Sequence, residues 1–293
     1  MSAFGYFGSK LRIAARMHNL LPPHNCWVEL FCGSAAMTLA KKPAAIEVIN
    51  DINGDIVNFY QQLRDHGDEL LRKIRLTPYA RAELELSRSS SNGISELERA
   101  RRFFVTAMMA VNGSFGAAKG GFSVSSSYSR NGLEARVNRW NGMPDYLKSI
   151  VQRFKTMRIE NKDAIILFKE FCDRPATLVY LDPPYLGDRV KGYDHDANSE
   201  DFHRRLLDVA MKAKCMVFIS GYDSVLYNDR LTNQNGWSKE KLEAITKGNN
   251  GKCFERTEVI WCNRAYREAK ASGQVPIKLT NKEEKNRKVN PVR

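Results

Sequence analysis

No apolar run in this chain approaches the ~20 residues that cross a bilayer, and the opening M-S-A-F-G-Y-F-G-S-K lacks the basic, apolar and small-residue succession of a secretory signal. A cytoplasmic protein with no membrane partner is expected. Cysteine is present but unpaired in pattern: the six, at 26, 32, 172, 215, 253 and 262, include no C-x-x-C, and the five histidines form no H-E-x-x-H. That argues against a metal centre or a disulfide framework. The thiols, several of them in apolar runs such as C-M-V-F-I-S, suit small core positions. Glycine is scarce where a dinucleotide would need it, because F-C-G-S-A-A at 31–36 offers one glycine where the fingerprint has three. A pyrophosphate cradle is therefore not expected.

Acidic side chains are also few. Against 46 Lys and Arg stand 33 Asp and Glu, a formal charge of +13. The excess is concentrated, with twelve basic against six acidic residues over 76–155 and nine against three over 264–293. A soluble chain with this balance carries the electrostatic footprint of a polyanion partner, and phosphate contact is the expected use of it.

What the chain does have is alternation. C-W-V-E-L-F (26–31) reads as a strand, A-A-M-T-L-A-K-K (35–42) as a helix, A-A-I-E-V-I-N (44–50) as a strand and D-I-V-N-F-Y-Q-Q-L-R (55–64) as a helix. After a long interruption the pattern resumes with M-R-I-E (157–160), a helix near 163–172, a strand at 177–181, a helix opening at Ser199 and the strand C-M-V-F-I-S (215–220). Strands spaced by helices imply a mostly parallel sheet covered on both faces, with ligands beyond the strands' carboxyl ends. The turn after Phe31, Asp182 and Ser220 all fall on that edge. Asp51, eighteen residues after Gly33, sits where an acid commonly takes ribose hydroxyls. A small-residue turn with a ribose acid and no phosphate loop suits a nucleoside-bearing ligand without phosphates, such as S-adenosylmethionine. Taken singly, the turn also reads as close helix–strand packing and Asp51 as a helix cap.

T-L-V-Y-L-D-P-P-Y-L-G at 177–187 is a buried strand that stops on Asp182. Pro183 and Pro184 cannot donate to a ladder and keep the backbone extended, so the segment leaves the sheet stiff, with carbonyls that lack a strand partner. Together with F-G-Y-F-G-S-K (4–10), V-E-L-F-C-G-S-A-A (28–36) and I-N-D-I-N (49–53), this motif resembles the Dam-type (D12 class) DNA adenine N6-methyltransferases over nearly the whole chain.

The resemblance implies a Rossmann-like class I methyltransferase of the α/β class, with a mostly parallel seven-stranded sheet and helices on both faces. Its catalytic domain would comprise 1–75 and 156–265, its inserted target-recognition domain 76–155, and its basic flexible tail 266–293. It implies S-adenosylmethionine as cofactor, double-stranded DNA as partner, a monomer, and a prokaryotic or phage setting in which restriction-modification is one role. Tyr6, Gly8 and Lys10 would line the cofactor pocket, and Glu29, Phe31 and Gly33 would surround its methionine and ribose end. Asp51 would take the ribose, Asp163 the cofactor's adenine amine, and Asp182 the reacting end. Asp182, Pro183, Pro184 and Tyr185 would be catalytic: the carboxylate and the Pro183 carbonyl accept the two N–H groups of the target amine, localising its lone pair, while Tyr185 stacks on the extruded base. Alternatives are a cytosine N4 or RNA adenine methyltransferase, or a catalytically idle DNA-binding regulator.

The insertion departs from the better-known family pattern, so the target sequence does not follow from the resemblance. N-G-S-F-G-A-A-K-G-G-F-S-V-S-S-S-Y-S-R (112–130) has two Gly-rich turns that suit a hairpin, with Lys119, Ser123, Ser125, Tyr128 and Arg130 available to a DNA groove; a dimerisation lobe is the rival reading. If Arg130 reads a base, Arg130→Ala relaxes one target position and loses about 1–3 kcal/mol of discrimination. If Lys119 contacts a phosphate, Lys119→Ala weakens all sequences alike and flattens the salt slope by about one unit. Methylation profiles on randomised duplexes at two salt concentrations separate the two.

Overall fold

The computed structural model describes residues 2–5, 10–90, 92–111, 120–127, 132–186, 199–247 and 253–277. Tyr6, Gly8, Lys119, Tyr128 and Arg130 lie outside them. Seven strands, β1 (Cys26–Glu29), β2 (Ile46–Asn50), β3 (Arg158–Glu160), β4 (Thr177–Leu181), β5 (Met216–Gly221), β6 (Ser238–Lys247) and β7 (Cys253–Cys262), form one sheet in the order β3-β2-β1-β4-β5-β7-β6. The first five strands of that order are parallel, and β7 runs antiparallel to both β5 and β6. This is the mostly parallel, seven-stranded sheet that the resemblance implied.

Period-two alternation divides the core. On β1, Trp27 faces a cluster with Met37, Tyr180, Phe218 and Tyr266, while Cys26 and Val28 face the opposite cluster with Phe168, Leu206 and Val217. The first face is covered by α1 (Leu11–His18), α2 (Ala36–Ala40) and α11 (Arg264–Ser272), the second by α8 (Ala164–Phe171), α9 (Glu200–Lys212) and α10 (Val225–Arg230). Local chemistry sets the helix starts, at Ser199 as the sequence suggested and at Asn53 rather than the Asp51 that it offered as a cap. Ser199 caps α9 by accepting from the Phe202 amide at 3.2 Å, and Asn53 caps α3 (Gly54–Asp65) by accepting from the Asp55 amide at 2.9 Å. Cys26, Cys32, Cys215 and Cys262 are buried as reduced thiols.

After α4 (Gly67–Leu76), the described residues of 76–155 are largely helical, with α5 (Arg81–Ser87), α6 (Glu96–Met109) and α7 (Ala135–Lys155). They build no separate core among the described residues. Phe103, Phe104 and Trp140 share one cluster with Phe4, Ile49 and Phe59, and the rings of Phe59 and Phe104 stack at 5.4 Å. Past α6 the chain doubles back, with Val111 N–H donating to Gly121 O at 2.9 Å and Ser123 N–H to Met109 O at 2.7 Å; residues 112–119 between them are outside the description.

Two features differ from the expectations. The β6–β7 pair, antiparallel like its junction with β5, was not legible in the alternation. The flexible tail placed from 266 instead begins as a docked helix, because α11 has an apolar stripe. Tyr266 and Ala269 are each 2% exposed, the Tyr266 hydroxyl donates to Leu20 O at 2.6 Å, and Asn263 accepts from the amides of Val217 and Tyr266, both at 3.0 Å. Residues 278–293 lie outside the description. No helix among the described residues is long and apolar enough to cross a membrane.

A buried polar tie fixes β1 against α2. Trp27 Nε1 donates to Thr38 Oγ1 at 2.7 Å, and the Thr38 amide donates at 3.1 Å to Glu29, which also accepts from the Thr38 hydroxyl. Burial pushes the Glu29 carboxyl up from 4.5 to about 8, against the pull of its Thr38 bonds. A carboxyl whose folded value is raised contributes stability that is complete below its unfolded value near 4.5 and lost as pH rises through about 8. Glu29→Gln keeps the acceptor and removes the titration. Denaturant unfolding between pH 5 and pH 9 should show the variant gaining on the wild type as pH rises, by on the order of a few kcal/mol at the alkaline end, and equal slopes would contradict this.

Candidate active site

β4 is buried on both faces, and beyond Leu181 the two prolines end its ladder, leaving Asp182 at the carboxyl edge of the sheet beside the end of β5. Asp182 Oδ1 accepts from the Ser220 hydroxyl at 3.1 Å and lies 3.0 Å from Lys10 Nζ. Both contacts fall on Oδ1, so Oδ2 accepts no hydrogen bond from the described residues. Ser220 is held in turn by the Tyr180 hydroxyl at 2.7 Å.

Lys10 belongs to this centre more than to a cofactor lining. Its ammonium lies 2.8 Å from Glu258 Oε1 on β7 and donates to the Tyr185 hydroxyl. Tyr185 donates to Glu258 Oε1 at 3.2 Å, and its ring meets that of Tyr222 with centroids 4.0 Å apart. Lys10 and Glu258 are buried, at 7% and 6% exposure. Burial pushes both Asp182 and Glu258 above the ordinary carboxylate range, with Lys10 pulling each of them down. Burial works against the Lys10 charge, but the two carboxylates outweigh it and hold the ammonium above its ordinary value. Pro183 and Tyr185 also line a cleft with Gly221, Tyr222 and Trp261.

A second group sits at the ends of β1 and β2. Gly33 has φ +45° and Ala35 φ +52°, a left-handed turn in which glycine removes a side-chain penalty. Asp51 clamps this turn: Oδ2 accepts from the Gly33 amide and Oδ1 from the Asn53 amide, each at 2.9 Å. Asn50, 1% exposed, links the neighbouring strand ends by donating to Leu30 O at 3.0 Å and Lys162 O at 3.1 Å. Phe31 is half-buried, edge-on to Phe202 at 6.2 Å.

Some expected residues are placed otherwise. Glu29 directs its carboxyl to Thr38, inside the sheet–helix interface, where the α2 amide and hydroxyl donate to it. Asp163 caps α8, accepting from the Ile165 and Ile166 amides at 2.9 and 3.0 Å, the geometry of an ordinary helix start. Ser123, expected at a DNA groove, is 3% exposed, with its carbonyl accepting from the Tyr79 hydroxyl at 2.6 Å; the strand-like return that pairs it with Met109 turns it inward. Ser125 is half-buried, and its hydroxyl accepts from the Ser127 amide at 3.1 Å.

Glu258 and Tyr222 were missed. The signal for Glu258 was available: R-T-E-V-I-W sets one acid directly against an apolar run, as V-Y-L-D does for Asp182. Among the described residues no group of three or more His, Cys, Asp or Glu is placed to hold a metal ion.

The sequence model of D12 class N6 adenine-specific DNA methyltransferases matches residues 6–247. The Type II methyltransferase M1.LlaDCHI of Lactococcus lactis subsp. cremoris is 27% identical over 277 residues, which cover 87% of this chain and 93% of that one. Solved structures resemble the chain more loosely. The SAM-dependent methyltransferase from Agrobacterium tumefaciens has a TM-score of 0.41 at 10% identity, covering 89% of this chain and 63% of the other. A rRNA methylase from Streptococcus thermophilus has 0.36 at 8%, covering 87% and 96%. At such scores neither structure bears on the assignment. The family match does, since it takes in the clamped turn, the insertion and the D-P-P-Y segment together: this chain belongs to the D12 class N6 adenine-specific DNA methyltransferases.

Proposed function

We propose that Asp182, Pro183 and Tyr185 are the methyl-transfer site of this adenine-specific DNA methyltransferase, acting on the N6 amine of an adenine swung out of the duplex. The observation that carries this reading is the asymmetry of Asp182. Ser220 and Lys10 occupy Oδ1 and fix the carboxylate, while Oδ2 is left to accept. The N6 amine is a weak nucleophile because its lone pair is delocalised into the ring. Accepting one N–H at Oδ2 and the other at the Pro183 carbonyl localises that pair on nitrogen, and the buried negative charge stabilises the positive charge that develops there. As the N–C bond forms, the amine sheds one proton, and Oδ2 is the atom placed to take it or hand it on. Tyr185, its ring fixed by Tyr222 and its hydroxyl by Glu258, offers a face for the extruded base.

S-adenosylmethionine fits the residues of the clamped turn. The backbone there has little side-chain bulk, and Asp51 sets its carboxylate at the turn, where it accepts from the amides of Gly33 and Asn53. When bound, the cofactor supplies an electrophilic methyl on its sulfonium. We assign Asp51 and Gly33 to its ribose end, and Phe31 to its surroundings. The basic insertion, residues 76–155, is the part of the chain we assign to target recognition on double-stranded DNA, with the +13 charge supporting phosphate contact.

Two variants test the division of labour. Asp182→Ala should bind duplex and S-adenosylhomocysteine like the wild type, yet methylate slower by a factor of roughly 100 to 1000. Asp51→Ala should weaken cofactor binding by about 1.5–3 kcal/mol while the protein stays folded. Calorimetry reads the binding, and labelled methyl transfer followed by digestion to nucleosides reads the rate and the product. A fast Asp182→Ala enzyme would remove Asp182 from the chemistry.

A further inference from the structure

Glu258 poses a question that the methyl-transfer reading leaves open. It lies on β7 next to Val259, which pairs with Gly221 at the end of β5, so the sheet brings it to the same edge as Ser220. It is 6% exposed. A carboxylate so deeply buried carries a desolvation cost of several kcal/mol, which the fold tolerates only where partners return it. Its partners are Lys10, from the segment before α1, at 2.8 Å and Tyr185, from the loop after β4, at 3.2 Å. Both are groups of the site and neither belongs to the framework of β6 or β7. The burial of this acid therefore serves the chemistry at the sheet edge.

We infer that Glu258 is a positioning residue for methyl transfer, sharing the Lys10 ammonium with Asp182 and anchoring the Tyr185 hydroxyl. The inference rests on Asp182 as the acceptor of the target amine. Lys10 has three donors and places them on Asp182, Glu258 and Tyr185. While two carboxylates divide one ammonium, Asp182 remains an anion with excess negative charge for the amine to meet. Remove the charge of Glu258 and the ammonium bears on Asp182 alone. The acceptor becomes half of a neutral pair, and the Tyr185 hydroxyl loses its charged acceptor while its contacts with Lys10 and Tyr222 remain. Tyr185 thus has its ring face set by its tilted contact with Tyr222 and its rotation set by Glu258, which a stacking platform for a base requires.

Glu258→Gln tests this, since it keeps size and an acceptor but removes the charge. Lys10 is the charge that bears on Asp182, and the Asp182 charge bears in turn on Glu258, Glu29 on β1, Tyr180 on β4, Tyr185 in the loop and Tyr227 on α10. All but Glu258 are unchanged in the variant, so its difference from the wild type isolates that one charge. Loss of a negative neighbour, with Lys10 now wholly on Asp182, lowers the Asp182 titration. The acid limb of the kcat–pH profile should move to lower pH. We expect kcat to fall tenfold or more, with KM for duplex and cofactor changed less than about threefold, and Glu258→Asp, which restores the charge, to return the acid limb toward its wild-type position. Wild-type kcat with an unmoved limb overturns the inference, as does a loss of kcat, KM and melting temperature together with an unmoved limb, which is the signature of packing alone. If Glu258→Gln does not fold, Glu258→Asp decides: its shortened reach must lower kcat with KM retained, and wild-type kcat overturns the inference. Asp182→Ala run in parallel keeps the two readings apart. An active Asp182→Ala enzyme sinks the acceptor role itself, whereas an inactive one beside an unaffected Glu258→Gln enzyme sinks the Glu258 inference alone.

Discussion

One buried ammonium between two carboxylates, Glu258 buried and Asp182 half-buried, organises this molecule's working edge. Lys10 lies within 3.0 Å of both Asp182 and Glu258, and the three come from the chain's beginning, middle and end. None of these charges is tolerable in the interior without the others, so each of the three segments is held where it is by the requirement that the charges meet. The sheet order makes the meeting possible. β4 and β5 lie at its centre, and the antiparallel return of β7 against β5 carries Glu258 back to the edge where β4 ends.

Around this centre the remaining polar ties act as a frame. Ser220 holds Asp182 from the neighbouring β5 and is itself held by Tyr180 of β4, and Asn50 joins the ends of β1 and β3 across β2. Asp51 closes the glycine turn from beneath. These side chains are short, so their hydrogen bonds fix backbone positions with little rotamer freedom left to lose. The consequence is a preorganised edge, in which the acceptor atoms stand in place before any partner arrives.

Much of this was legible in the sequence, and for identifiable reasons. The parallel core could be read because β1, β2, β4 and β5 are apolar runs separated by helical periods, and Asp182 stood out because an acid followed by two prolines interrupts such a run. The β6–β7 hairpin could not be read that way. S-K-E-K-L-E-A-I-T-K is a charged edge strand with weak alternation, and its partner begins in a mixed stretch, C-F-E-R-T-E, so neither carries the apolar signal of a central strand. Glu258 was hidden with it. Asp163 and Ser123 mark a second kind of limit. An Asp at a helix start satisfies backbone amides whether or not it meets a ligand, and the inward face of Ser123 depends on a long-range pairing with Met109 that no local pattern encodes. The tail boundary failed because charge outweighed the sparse apolar stripe of α11, where Tyr266 and Ala269 recur at helical spacing. The cytosine, RNA and idle-regulator alternatives stayed open in the residues alone, and the family match favours adenine in DNA.

The shared ring cluster between α3 and the inserted helices bears on how such a protein changes its target over generations. Phe104 of the insertion lies flat on Phe59 of α3, and Phe103 meets Phe4 edge-on at 5.1 Å. On the proposed assignment of recognition to residues 76–155, the recognising part is not a cassette plugged into a neutral socket. A foreign insertion would have to reproduce those ring faces or bring along its own α3 and amino-terminal segment, and the latter runs on to Lys10. Lineages exchanging target specificity by recombination would therefore cross over outside this seam, whereas drift by point substitution would be confined to the positions that face away from it.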